Sequence, residues 1–362
     1  MGPVKRPRPP RARRARTATV TAPAVLALVA VVLAGCSGTS AAVPRPAGGQ
    51  QTNASSSSAP PSAASPSVAA PSTAPVSVTS ASDAVPAGIS KVLVIAEENE
   101  TYRSVLGHGS APYLDSVAKQ FGTATAMDAG YPPSCPSLAA YLLMTSGDRY
   151  GVCDDAYPSA HRIRADNVFH QVAASGRTWR NYAESMPAPC TPRNSGHFLV
   201  RHAPAVYYVS EASRCKQGMV PLGSLTSGAL HDDVVAGTLP AYGFVTPDEC
   251  NDMHGGRGCR GSNLVTVGDT WLRRWMAQIM AGPDYRAGRL AVLITWDEGD
   301  ARSNHIPLLA VSPGTRHVTI TRPVTQCHLL RTVEELLGLT PLGCAARATS
   351  MAGEFGLSQP GR

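Results

Sequence analysis

VLVIAEEN at residues 92–99 and LAVLITWDEGD at 290–300 decide the fold. Each is a short run of Val, Ile and Leu that stops at acidic residues. Continuous rather than alternating apolar runs of this length are what strands buried on both faces of a parallel sheet require. In open α/β sheets the chemistry gathers beyond the carboxyl ends of the strands, so Glu97, Glu98, Asn99, Asp297, Glu298 and Asp300 are expected at one rim. Carboxylates gathered out of water repel one another, and a cation or a proton has to accompany them. Oxygen donors of this kind suit a hard divalent metal ion, whose identity the residues leave open.

Working outward, strand and helix patterns alternate. Strands are predicted at 91–96, 178–182, 242–246, 290–296 and 307–311. Helices are predicted at 112–121, where Tyr113, Leu114, Val117 and Phe121 share a face, and at 137–145, 166–174, 267–280 and 325–337. This alternation predicts an α/β fold in three layers, a mostly parallel central sheet with helices on both faces. Asp269, in GDTWL at 268–272, reads as the N-cap of its helix. Tyr102, Tyr131, Trp179 and Tyr207 read as core aromatics.

Two further segments carry polar residues at positions where chemistry is expected. In YPPSCPSLAAYLLMTSG at 131–147, prolines precede Ser137, and LAAYLLM begins a helix. A hydroxyl there faces unpaired N–H groups and the positive end of the helix dipole, which suits attack on a phosphate. An ordinary N-cap serine would look the same, and Ser134 stands close by as a rival. In FVTPDECNDMHG at 244–255 a strand again ends in polar residues, and Asp252 and His254 stand two apart in a Gly-rich loop.

Taken together, these motifs resemble the bacterial phosphoesterase family. They are Glu98-Asn99 with Thr101-Tyr102, Pro136-Ser137 with Tyr141 and Ser146-Gly147, Asn251-Asp252-Met253-His254, Gly268-Asp269-Thr270-Trp271-Leu272, and Thr295-Trp296-Asp297-Glu298. Their order is kept from about residue 91 to residue 339, and the secreted acid phosphatases of mycobacteria are the members most similar in these motifs. The resemblance implies an alkaline-phosphatase-like α/β/α sandwich that hydrolyses phosphate esters through a phosphoserine. It implies Ser137 as nucleophile, and Glu98, Asn99, Asp297 and Glu298 as ligands of a divalent metal ion, with Asp252 beside them. It also implies that His254 contacts phosphate or assists the leaving group, and that His202, in RHAPAVYY at 201–208, sits on the substrate side. Glu184, in NYAESMP at 181–187, is expected to be structural.

The chain departs from the family pattern in two places. Where members commonly read His-Pro-Ser-x-Pro-Asn-Tyr, Cys135 replaces the histidine and Ala139-Ala140 replace Pro-Asn. Near the C-terminus, Gln326 and Cys327 stand where a His-Tyr pair is usual, with His328 and His305 as nearby substitutes. Two alternatives to a phosphomonoesterase therefore stay open. One is a phospholipase C-like phosphodiesterase. The other is a non-catalytic surface lipoprotein that binds phosphate or metal.

The N-terminal region sets the expected compartment. Seven basic residues from Lys5 to Arg16 precede an apolar run from about Ala22 to Leu33, and Leu33-Ala34-Gly35-Cys36 follows. The pattern reads as a lipoprotein signal peptide over 1–35, cut before a lipidated Cys36 that holds the protein to the membrane outside the cytoplasm. The pair Arg13-Arg14 hints at twin-arginine export. Residues 36–87, rich in Ser, Ala and Pro, cannot offset their ordering entropy and read as a disordered tether reaching roughly 40 Å on average. The phosphoesterase-like domain then spans 88–357. Apart from Cys36, eight of the nine cysteines remain, and sequence neighbours suggest the disulfides Cys135–Cys153, Cys190–Cys215, Cys250–Cys259 and Cys327–Cys344. The formal charge of +7 comes from 32 basic and 25 acidic residues, and removing the seven basic residues of the leader cancels it. A nucleic-acid partner is not expected of such a chain.

Overall fold

The computed structural model describes Gly2 and residues 88–358; the leader, Cys36 and the tether expected from the sequence lie outside the described residues. The central sheet has eight strands. They are β1 (Lys91–Glu97), β2 (Gly122–Ala124), β4 (Trp179–Ala183), β5 (Met219–Pro221), β6 (Tyr242–Thr246), β7 (Leu290–Trp296), β8 (Leu308–Val311) and β9 (Val318–Ile320), in the spatial order β5-β4-β6-β1-β7-β8-β2-β9. Only β8 runs against the others. A separate two-stranded ladder pairs β3 (Met127–Asp128) with β10 (Val324–Thr325).

The two runs that decide the fold, β1 and β7, are neighbours at the centre of the sheet, paired in register from Lys91↔Leu290 to Glu97↔Trp296. Every residue of β7 is buried, as is every residue of β1 after Lys91. That is why neither run alternates polar with apolar side chains. The helices Pro112–Gln120, Ala229–Ala236 and Leu264–Ala281 pack together on one face, and Leu138–Ser146, Val168–Ala174 and Gln326–Leu336 on the other. The three-layer α/β arrangement expected from the sequence is the one observed. The short strands β2, β5 and β9 and the helix Ala229–Ala236 are not among the elements expected; three-residue strands carry too little periodicity to read.

All four disulfides pair as sequence neighbours. The expectation for Asp269 is corrected. It lies within the helix Leu264–Ala281, whose N-cap is Asn263. Its carboxylate instead accepts the N–H groups of Tyr113 at 3.1 Å and Leu114 at 2.9 Å. Asp269 thus caps a different helix, Pro112–Gln120, whose own N-cap residue is Ala111 and offers no side-chain oxygen.

Candidate active site

The parallel strands β6, β1 and β7 deliver their polar ends to one rim. The β pleat separates the adjacent pair Glu97 and Glu98. Glu98 faces the helix Leu138–Ser146, whereas the charge of Asp269, on the opposite helical layer, acts on Glu97. Backbone bonds tie the three ends together: Glu98 N–H donates to Asp252 O at 2.8 Å, and Asp297 N–H to Glu97 O at 2.9 Å. Asn99, in the left-handed region at φ 50°, donates its N–H to Asp297 Oδ1 at 3.1 Å and its amide to Glu298 Oε1 at 2.9 Å. Asparagine is among the few residues that tolerate such a φ. Tyr131 donates its hydroxyl to Glu298 Oε2 at 3.1 Å.

Ser137 precedes the helix Leu138–Ser146 but does not cap it with its side chain. Its hydroxyl donates to Glu98 Oε2 at 3.0 Å, and the Leu138 N–H goes instead to Asp155 Oδ1 at 3.0 Å. The other oxygen of Glu98 accepts the Tyr141 hydroxyl at 2.5 Å. Ser134, the rival hydroxyl, is exposed.

His202 is buried between two carboxyls, with Nε2 3.2 Å from Glu98 Oε1 and Nδ1 3.7 Å from Asp252 Oδ2, and it stacks on Tyr141. Burial, then the charges of Arg201 and His254, hold its pKa well below the usual histidine range. His254 stands at the exposed rim, where its backbone N–H donates to Asp252 Oδ1 at 2.9 Å. Partial burial and Arg201 lower its pKa too. Met253, between Asp252 and His254, has φ 76°, a conformation costly for a residue with a side chain. Gly268 of the facing helix makes room for it. A Cβ there would lie 2.4 Å from Met253 Cγ.

The carboxyls resist ionisation. Burial and the neighbouring Glu298 push Asp297 up to about 8, and burial pushes Asp252 up to about 7. Glu98 is raised well above the usual range by burial and by Asp297 and Asp252. Asn99 Oδ1, Asp252 Oδ2 and Asp297 Oδ2 are buried and accept no hydrogen bond among the described residues. Unsatisfied, uniformly oxygen donors fit a hard cation. Among the described residues the only three His, Cys or carboxylate ligand atoms all within 4.8 Å of one another belong to His197, Cys250 and Cys259, and both of those sulfurs are spent in a disulfide. The acidic cluster is accordingly wider than a closed cage.

Of the residues expected at the site, Glu98, Asn99, Ser137, His202, Asp252, Asp297 and Glu298 form one contact network, and His254 adjoins it. Sequence reading missed Arg201, whose charge acts on Glu98, Asp252, His202, His254 and Glu298 while its Nε lies 3.2 Å from Asp155 Oδ2. Arg201 directly precedes His202, so the same motif carried it. It also missed the role of Asp155, which has no signal in the sequence because its partner lies 17 residues away. The substitute histidines are engaged elsewhere. His305 Nε2 meets Thr125 O at 2.8 Å, and His328 Nδ1 accepts the Thr325 N–H in a helix cap. Gln326, where the family has histidine, is buried and donates to Trp296 O, next to Asp297, at 2.7 Å. Glu184 takes the N–H of Asp248, the amide of Asn251 and the indole N–H of Trp271, each at 3.0 Å, and so ties the Asp252 loop to the helix Leu264–Ala281.

The family model described as the Phosphoesterase family matches residues 110–340. A phosphatidylinositol-3-phosphatase of Mycobacterium tuberculosis is 25% identical over 278 residues, covering 76% of this chain and 86% of the relative. An acid phosphatase of Aspergillus fumigatus is 25% identical over 197 residues, covering 51% of this chain but only 40% of the fungal protein. In fold, the chain is similar to an alkaline phosphatase superfamily protein from Vibrio parahaemolyticus, with a TM-score of 0.51 at 12% identity over 73% of this chain and 70% of the other.

Proposed function

The chain belongs to the Phosphoesterase family and is a hydrolase of phosphate esters; from that premise we propose that it cleaves phosphomonoesters in two steps, with Ser137 as the nucleophile. The observation that carries this reading is the Ser137 hydroxyl, which leaves the capping of its helix to Asp155 and donates to Glu98. Ser137 Oγ attacks phosphorus as its proton leaves along that bond, and the bond from phosphorus to the leaving oxygen breaks. His254, at the exposed rim, returns a proton to the departing alcohol. Water then cleaves the phosphoserine. Arg201 balances the equatorial oxygens of the phosphate, and Tyr141 holds Glu98 in place.

Asn99, Asp252, Asp297, Glu298 and Glu98 would hold a divalent metal ion. When bound, it supplies Lewis-acid polarisation of a phosphate oxygen and lowers the pKa of the serine. The names of the bacterial and fungal relatives favour monoesters over diesters. Cys36, by its position in Leu33-Ala34-Gly35-Cys36, would anchor the enzyme to the outer side of a membrane. Replacing Cys36 with Ala should release the protein from the membrane fraction without changing its turnover.

The test compares chromogenic phosphomonoester and phosphodiester turnover before and after chelation and metal addition. Monoester turnover that a chelator abolishes and a divalent cation restores is the expected result. A preference for the diester would replace this reading with the phospholipase C-like one. No turnover of either ester under any metal would leave a binding protein.

A further inference from the structure

A second cavity lies far from the acidic rim. It encloses about 680 Å³ at the opposite ends of the parallel strands, where Thr178 and Trp179 enter β4 and Pro240 precedes β6. Its walls bring together Arg177, Arg180 and Arg214, with Asp233 as their one carboxylate. Asp233 is already occupied: it accepts the Tyr182 hydroxyl at 2.7 Å and the Thr238 hydroxyl at 3.3 Å, and Arg180 Nε is 3.9 Å away. The pocket therefore keeps an excess of positive charge.

The guanidinium groups are held in place, and Arg180 alone has a carboxylate beside it, which it shares with two hydroxyls. Arg177 donates Nε to Ser175 Oγ and Nη2 to Leu337 O, both at 2.8 Å, and partial burial lowers its pKa. Arg180 donates Nη1 to Gln217 O at 2.5 Å. Carbonyl and hydroxyl acceptors orient these side chains, and only Arg180 has part of its charge offset, by Asp233. Arg214 is exposed and makes no side-chain hydrogen bond or ion pair among the described residues. Its turn is nonetheless fixed. Cys215 is bonded to Cys190, and Gly218 lies so close to the Trp179 indole that a Cβ would fall 2.2 Å from it. An indole wall, two oriented guanidinium groups and a third with its donors unspent are what a phosphate-type oxyanion needs, because arginine forks match its oxygens in pairs.

We propose that this cavity is a second anion site, separate from the hydrolytic centre, that binds a phosphate group through Arg177, Arg180 and Arg214. The phosphate could belong to a free anion or to a lipid headgroup.

Titrating the intact chain with inorganic phosphate, followed by calorimetry, should resolve two classes of site. Arg214→Ala should weaken one of them by about tenfold or more, the loss expected for a charged hydrogen bond, and leave monoester turnover unchanged. Arg214→Lys should recover only part of that affinity, since it keeps the charge and loses the fork. Ser137→Ala should leave this class untouched. In parallel, co-sedimentation with phosphatidylcholine vesicles, with and without phosphatidic acid, separates the sources. Binding to the doped vesicles that Arg214→Ala removes identifies a lipid headgroup, and phosphate binding without it identifies a soluble anion. The proposal is overturned if Arg214→Ala and Arg180→Ala leave both the phosphate titration and the vesicle binding as in the parent chain.

Discussion

Asp155 Oδ1 accepts the Leu138 N–H at 3.0 Å, the backbone position beside Ser137, and so releases the Ser137 hydroxyl to bond Glu98. The two residues divide a task that one N-cap serine ordinarily performs alone. Replacing Ser137 by Ala should therefore leave the helix cap intact and cost about 1 kcal/mol, the loss of one buried hydrogen bond to Glu98. Monoester turnover should fall by on the order of 10³-fold or more. Denaturant unfolding and steady-state kinetics on the same preparation check both halves; turnover near that of the parent would remove Ser137 from the chemistry.

Asp155 has two partners, the helix end and Arg201. Asp155→Ala should lower stability by about 1 kcal/mol and raise KM, because Arg201 loses its anchor. Asp155→Asn should restore the cap but not the ion pair, so stability returns while KM stays high. A KM that recovers along with stability would contradict a role for Arg201 at the phosphate.

The acidic rim predicts a pH signature for the chain stripped of metal. Asp297, at about 8, and Asp252, at about 7, bind protons more tightly folded than unfolded. Their contribution to stability is complete below the unfolded carboxylate range and is lost as pH rises through 7 to 8. Chelator-treated protein should lose thermal stability across that window. A divalent cation should reverse the trend and release protons as it binds. Thermal melts from pH 5 to 9 with and without the cation, and proton release by calorimetry, measure the two effects. A metal-free Tm that rises through the window would refute the assignment.

Asp269 offers a test away from the chemistry. Asp269→Ala strips acceptors from two backbone N–H groups at the start of the helix Pro112–Gln120, one of them buried, and should cost about 2 kcal/mol. Asp269→Asn should keep most of that stability, and kcat should change little in the folded fraction of either variant. Unfolding midpoints in denaturant decide it; an Ala variant as stable as the parent would mean that the cap carries no weight.

The central strands were legible because burial on both faces writes itself into the sequence as an unbroken apolar run, and β1 and β7 are such runs. The residues of the rim were legible for the same reason, standing where those runs stop. Contacts between layers were not. Asp269 has the local look of an N-cap, yet its carboxylate serves a helix about 155 residues earlier in the chain. Adjacent in a strand, Glu97 and Glu98 had to face opposite ways, but the sequence did not say which of them meets the helix Leu138–Ser146. Arg201 carried no sequence signal of its own, since its place at the site comes from the fold that sets its Nε 3.2 Å from Asp155 Oδ2.

Two of the disulfides enclose parts of the rim. Cys135–Cys153 closes the segment that holds Ser137, and Cys250–Cys259 closes the one that holds Asp252, Met253 and His254. Among the described residues no crosslink joins the strand ends that carry Glu98, Asn99, Asp297 and Glu298, which the sheet itself holds in register. Reduction would thus leave one half of the reaction centre in place and free the other, with Met253 no longer obliged to keep its costly φ. Activity should therefore fade under mild thiol treatment well before the sheet melts.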